Sequence, residues 1–164
     1  MNLLTKSLAV VSAVFLLTAC ETAPSSTSGA NGKGGAAGAG GPVSPGTQED
    51  LAQNVGDRVF FDTDSSQLSS ESQGVLQRQA AWLKQYGNVH VTVEGHCDER
   101  GTREFNLALG ERRAAAAKKY LVGLGIPSSR ISTISYGKER PAVIGSDESA
   151  WSQNRRAVTV VANQ

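Results

Sequence analysis

Residues Glu94 to Leu121 read EGHCDERGTREFNLALGERRAAAAKKYL, and the change of period around this stretch decides the fold. Just before it, Val89, Val91 and Val93 alternate with His90, Thr92 and Glu94, the period of two that marks a strand with one face on a core. Gly95 is expected to end that strand. His96 to Arg103 then gathers Asp98, Glu99, Arg100 and Arg103 around Gly101, too polar and glycine-marked to extend either element. From about Asn106 the period is helical. Leu107, Ala114, Ala117, Leu121 and Leu124 form one apolar stripe able to lie on a sheet.

Helical phase separates two adjacent arginines, because successive residues turn by about 100° and cannot share a face. Arg112 falls with Ala108, Ala115 and Lys119, which reads as the solvated side. Arg113 shares a line with Asn106, Leu109 and Gly110, read as the border between core stripe and surface, and so can face back toward the turn carrying Asp98. One carboxylate and one guanidinium across a turn can be an internal ion pair, or the two ends of a site for a zwitterion. Exposed pairs contribute only about 0 to 1 kcal/mol, so spacing alone leaves both readings open.

Outward from this centre, Met1 to Cys20 has one early cation, Lys6, an apolar run from Leu8 to Leu17, and small residues before a cysteine. The run falls short of the roughly 20 apolar residues a bilayer-crossing helix needs, so residues 1–19 read as a secretory signal. Leu17, Thr18, Ala19 and Cys20 also resemble the lipobox of bacterial lipoproteins, in which the signal is cut before the cysteine and that cysteine is acylated. An ordinary signal peptide would instead leave Cys20 a free thiol. Two or more acyl chains anchor stably where one does not. Glu21 rather than Asp follows the cysteine, and the resemblance implies sorting to the outer membrane.

Residues 20–48, with GKGGAAGAGGPVSPG inside them, are almost all small or turn-forming and have no period, so they read as a flexible tether. A Gly-rich chain of this length has an r.m.s. end-to-end distance of roughly 30 Å and stretches to about three times that. Residues 49–164 then have the length of one domain with a modest core. The whole chain carries 16 Lys and Arg against 15 Asp and Glu, and Lys6 is the one charge in the signal, so the remainder is balanced. Balance argues against nucleic acid or another polyanion as partner. With Cys20 lipidated, Cys97 has no intramolecular partner and is expected to be a buried, free thiol.

Within the domain, Arg58 to Asp62 reads as a short strand. Ser70 with Gln73 suggests a capping box, followed by a helix stripe of Leu76, Ala80 and Leu83 that stops at Gly87. Gly125 and Pro127 close the central helix. Ile131 to Tyr136 makes a third strand, Asp147 caps a short helix over Glu148 to Gln153, and Arg156 to Val161 is the last strand. Strands interleaved with single-striped helices predict an α/β arrangement of the α+β sandwich kind, a four-stranded sheet with helices on one face.

Several chemistries lack their residues. His90, His96 and Cys97 are too few for a closed zinc site. Asp62, Asp64 and Ser66 begin like a calcium loop, but Gln67 and Gln73 stand where glycine and glutamate are required. No nucleophile elbow, phosphate loop or dinucleotide fingerprint is present, so neither an enzyme nor a cofactor is expected.

The motifs FFDTDSSQL, GHCDERGTREFNLALGERRA, ISYGKERPAV and NRRAV, in this order from about Val59 to Val161, resemble the family that shares the OmpA-like peptidoglycan-binding domain, in its lipoprotein branch. That resemblance implies a mixed four-stranded sheet and non-covalent binding of the meso-diaminopimelate of the peptidoglycan stem, without cleavage. The family's site maps onto Asp98 in the GHxD motif, Arg113, Asn106, Leu109, Phe61 and Asp62. It further implies a tether between outer membrane and cell wall, with the periplasmic TolB and other Tol proteins as partners in the Tol-Pal system of envelope integrity and outer-membrane constriction at cell division. Two positions depart from the pattern: Phe105 stands where Tyr is common, and Cys97 where Thr or Ala is frequent.

Overall fold

The computed structural model describes residues 43–162. The expected signal, Cys20 and most of the tether lie outside the described residues. Strands β1 (Arg58–Phe60), β2 (His90–His96), β3 (Ile131–Gly137) and β4 (Arg156–Ala162) form one mixed sheet in the order β1-β4-β2-β3. β4 is antiparallel to β1 and β2, whereas β2 and β3 are parallel. A parallel pair needs a long crossover, which here is the helix α3 (Arg103–Gly123). With α2 (Ser70–Gln85) and the short α4 (Glu148–Asn154), this is the α+β arrangement that the interleaved pattern predicts.

Alternation carries the sheet's inner face, where Val59 and Gly95 flank Ala157 and Val93 pairs with Thr159. Val91 and Val93 are buried there with Leu76, Ala80 and Leu83 of α2 and Ala114, Ala117 and Leu121 of α3. Thr159, buried on this face, is satisfied, since its hydroxyl donates to Gln79 Oε1 at 2.8 Å and Gln79 Nε2 donates to the Gly56 carbonyl at 2.8 Å.

The structure corrects five local expectations. Gly95 lies inside β2, and its lack of a side chain lets α3 sit directly on the strand: a Cβ there would meet the Gly110 carbonyl oxygen at 1.8 Å. Leu107 is 50% exposed, because the buried face of α3 is turned to Asn106, Leu109, Gly110, Arg113, Ala114, Ala117 and Leu121. Arg113 therefore lies within the core, not at its border. The N-cap of α2 is Ser69, accepting from Ser72 N, while Gln73 donates to the Leu68 carbonyl, so no Ser70–Gln73 box forms. Finally, β1 stops at Phe60, and α3 begins at Arg103 with Thr102 as its cap.

One element has no counterpart in the expected layout. The helix α1 (Gln48–Asp50) continues as a π-helical turn, Leu51–Val55, with Leu51 fully buried. Gln48 Oε1 accepts from Val161 N at 2.7 Å, and Asp50 accepts from Trp82 Nε1 and Gly46 N, so side-chain contacts tie residues 46–50 to the domain.

Candidate functional site

The candidate site forms where four chain segments meet: the end of β2 with the turn after it, the loop after β1, the first turns of α3, and α4 with Arg155 after it. At the end of β2 the register against β3 slips between Gly95 and His96, an irregularity past which Cys97 N still donates to the Gly137 carbonyl at 2.8 Å. Cys97 follows, buried, with its thiol donating to the Asn106 carbonyl; burial pushes this thiol up, with Arg113 acting the other way. Asn106 spends its amide on the same loop, donating to the carbonyls of Arg100 (2.7 Å) and Thr102 (3.1 Å). These bonds fix the turn that carries Asp98.

Asp98 is 7% exposed and already holds cations. Arg100 grips it from Nη2 (2.7 Å) and Nε (3.1 Å), its own backbone N–H adds a third bond at 3.1 Å, and Arg155 Nη1 stands at 3.4 Å. Burial alone would raise its pKa, but these arginine contacts outweigh it and hold the carboxyl below its usual range, so it is an ionised acceptor at neutral pH.

Arg113 is 0% exposed, and its partners are backbone carbonyls: Nε donates to Ser65 (2.8 Å), Nη1 to His96 (2.9 Å) and Nη2 to Asp62 (3.0 Å). Its guanidinium lies 5.3 Å from the ring centroid of Phe61. Burial pushes its pKa down, Cys97 and Asp98 act the other way, and an arginine remains charged. No ion pair joins Asp98 to Arg113, and Arg113 makes no salt bridge to a carboxylate among the described residues. Arg112, one residue earlier, is exposed.

The remaining expected residues fall at the same junction. Phe61 (5% exposed) and Leu109 (3%) are buried apolar side chains. The Phe61 carbonyl accepts from Arg155 Nε. Asp62 is exposed and lines a cleft of about 480 Å³ together with Phe60, Phe61, Ser69 and Arg155. Asp98 and Arg113 lie outside the lining of that cleft.

Three residues belong to the site that sequence reasoning did not single out: Arg100, Arg155 and Trp151. Arg155 joins Asp98 to Glu148 of α4, and Arg100 stacks on the Trp151 ring with its Cζ 4.1 Å from the centroid. The Asp98-x-Arg100 spacing in a tight turn was a local signal for the first. Arg155 and Trp151 reach the site from the chain's far end, and no local pattern announces that.

A model described as the OmpA family matches residues 60–155. The peptidoglycan-associated lipoprotein of Agrobacterium fabrum is 61% identical over 118 residues, 72% of this chain and 67% of that relative. That of Haemophilus influenzae is 44% identical over 158 residues, 96% of this chain and 98% of the relative. Among solved structures, the peptidoglycan-associated lipoprotein of Burkholderia pseudomallei aligns with a TM-score of 0.65 at 39% identity, over 69% of this chain and 100% of that one. The C-terminal domain of Helicobacter pylori MotB, at 21% identity, has a TM-score of 0.61 over 66% of this chain and 85% of its own, a likeness of fold alone.

Proposed function

The chain belongs to the OmpA family, alongside the peptidoglycan-associated lipoproteins, and from that premise we propose that it is an outer-membrane lipoprotein that binds the peptidoglycan stem without cleaving it. In this reading Cys20 carries the lipid, residues 21–45 are the tether, and the domain, onto which residues 46–48 are already tied, is periplasmic. The ligand is the free end of meso-diaminopimelate, which bears an ammonium and a carboxylate on one carbon. TolB and other Tol proteins are its protein partners, in a system serving envelope integrity and cell division.

The observation that carries the ligand assignment is the buried guanidinium of Arg113 with no carboxylate beside it. Buried charges are ordinarily paired, and three carbonyls satisfy its donors without neutralising its charge. The other two of its five N–H groups make no hydrogen bond to oxygen among the described residues; the residue is 0% exposed, so a ligand carboxylate reaches them only by displacing part of the loop that covers it. Asp98, acceptor-only and ionised, is the complementary seat for the ammonium. A stem ending in Lys offers the ammonium without the carboxylate, and leaves Arg113 as it was.

A second reading is favoured by one observation: Asp98 is already paired with Arg100 and Arg155, and Arg113 holds backbone, so the residues can be purely structural in a module that binds only proteins. Pull-down of the detergent-solubilised protein on protein-free sacculi separates the two. The wall-binding reading expects retention by diaminopimelate-type sacculi, with Asp98→Ala weakening muropeptide binding at least about tenfold, or 1.4 kcal/mol. Arg112→Ala should bind as wild type does. Equal binding by a folded Asp98→Ala variant, or equal affinity for Lys-type stems, would refute it.

A further inference from the structure

The ammonium seat just described is not empty in this structure. Arg100 fills it, two residues along the chain from Asp98, with its guanidinium on both carboxylate oxygens. Arg155 also stands against Oδ2, so a third cation has no free lone-pair direction of comparable quality. A ligand ammonium can reach Asp98 only by taking a place that a guanidinium now holds.

Of the two arginines, Arg155 is fixed. It is 6% exposed, donates to the Phe61 carbonyl and bridges to Glu148. Arg100 has the features of a group that can leave. Its side chain is 39% exposed, it reaches Thr63 Oγ1 only at 3.4 Å, and beyond Asp98 its guanidinium rests on the Trp151 ring. The negative charges of Glu148 and Asp64 also favour its charge, so a released guanidinium stays among carboxylates. The backbone N–H of Arg100 bonds Asp98 Oδ1 independently of the side chain, and Asn106 holds the Arg100 carbonyl, so the turn keeps its shape when the side chain swings out.

We propose that Arg100 is a resident counter-ion of Asp98 that is exchanged for the ligand's ammonium on binding, and so sets the affinity threshold of the site. The inference rests on the diaminopimelate reading above. It adds a physical consequence: exchanging one cation for another on Asp98 gains little by itself, so a simple amine has no net reason to bind. A zwitterion does, because its carboxylate adds the contact to Arg113 that the exchange leaves unchanged.

The test is a titration of the detergent-solubilised full-length protein with a purified diaminopimelate-containing muropeptide, using wild type, Arg100→Ala, Arg100→Gln, Arg100→Lys and Asp98→Ala. Removing the competitor should tighten binding about three- to fivefold in Arg100→Ala and Arg100→Gln, the affinity equivalent of the upper end of what a partly exposed ion pair contributes. Arg100→Lys should fall between these and wild type, lacking the two-point grip. In wild type the Arg100 Nε–H NMR signal should lose its hydrogen-bonded shift as muropeptide is added. Weaker or unchanged binding by folded Arg100→Ala and Arg100→Gln, with Asp98→Ala strongly impaired, overturns the exchange and makes Arg100 a ligand contact or a spectator. Undiminished binding by Asp98→Ala overturns the site assignment and the exchange with it.

Discussion

Arg113→Ala is the substitution whose cost the structure fixes best. It removes a fully buried cation that donates to three backbone carbonyls, those of Ser65, His96 and Asp62, and so joins the loop after β1 to the end of β2. Hydrogen bonds to charged groups contribute about 1.5 to 3 kcal/mol each, and simple addition would give roughly 5 to 9. Addition overstates the loss, because water can enter the space and the loop can relax; a loss of about 3 to 5 kcal/mol, as for breaking a buried charged partnership, is the expected figure. Against a total of about 5 to 15 kcal/mol this is a large fraction. Urea unfolding followed by far-UV circular dichroism should show the midpoint falling by about 2 M, with slopes near 2 kcal/mol/M. Arg113→Lys should recover part of the loss, since an ammonium cannot span three carbonyls arranged around a planar fork. Arg112→Ala, on the exposed face, should stay within about 0.5 kcal/mol of wild type. A folded Arg113→Ala protein within about 1 kcal/mol of wild type would refute this reasoning. It would also show that the lost muropeptide affinity of such a variant, if seen, comes from the ligand contact alone.

Other outcomes follow from single positions. Gly95→Ala should cost about 3 kcal/mol or more in the same urea assay, since its Cβ would lie 1.8 Å from the Gly110 carbonyl oxygen, backbone against backbone; Gly74→Ala, within α2 and with nothing within 4 Å, should instead stabilise by about 0.5 to 1 kcal/mol. His96 is 2% exposed, and burial first, then the charge of Arg156, outweigh the opposing backbone of Arg140 and hold its pKa at about 4, with Glu94 Oε2 3.5 Å from Nε2. The ring is neutral in both states above pH 6.5, whereas between 6.5 and about 4 only the unfolded chain takes the proton, so stability should fall across that window by up to roughly 3 kcal/mol and His96→Gln should flatten the decline. Cys20→Ala should move the protein from the membrane pellet to the soluble fraction, and mass spectrometry of the wild-type mature terminus should find an acylated cysteine; an unmodified thiol there would contradict the anchor.

Sequence by itself determined the order and kind of the main elements, because these follow from local periods and stop signals. Alternation in Val89, Val91 and Val93 gives a strand in any context that buries one face, and Asp147 caps α4 through its own side chain. The helical phase also separated Arg113 from Arg112, since 100° per residue is a property of the backbone and not of the fold. What tertiary structure alone decided is depth and pairing. The apolar stripe placed Leu107 inside and Arg113 at the rim, but the Gly95–Gly110 contact sets the rotation of α3 on the sheet and buries Arg113 completely. Asp98 and Arg113 fall in the same candidate site with no ion pair between them, since Arg113 takes the carbonyl of His96 and Asp98 takes the guanidinium of Arg100. Arg155, 57 positions from Asp98, reaches it because β4 lies between β1 and β2, a neighbourhood that depends on strand order and that no local pattern encodes.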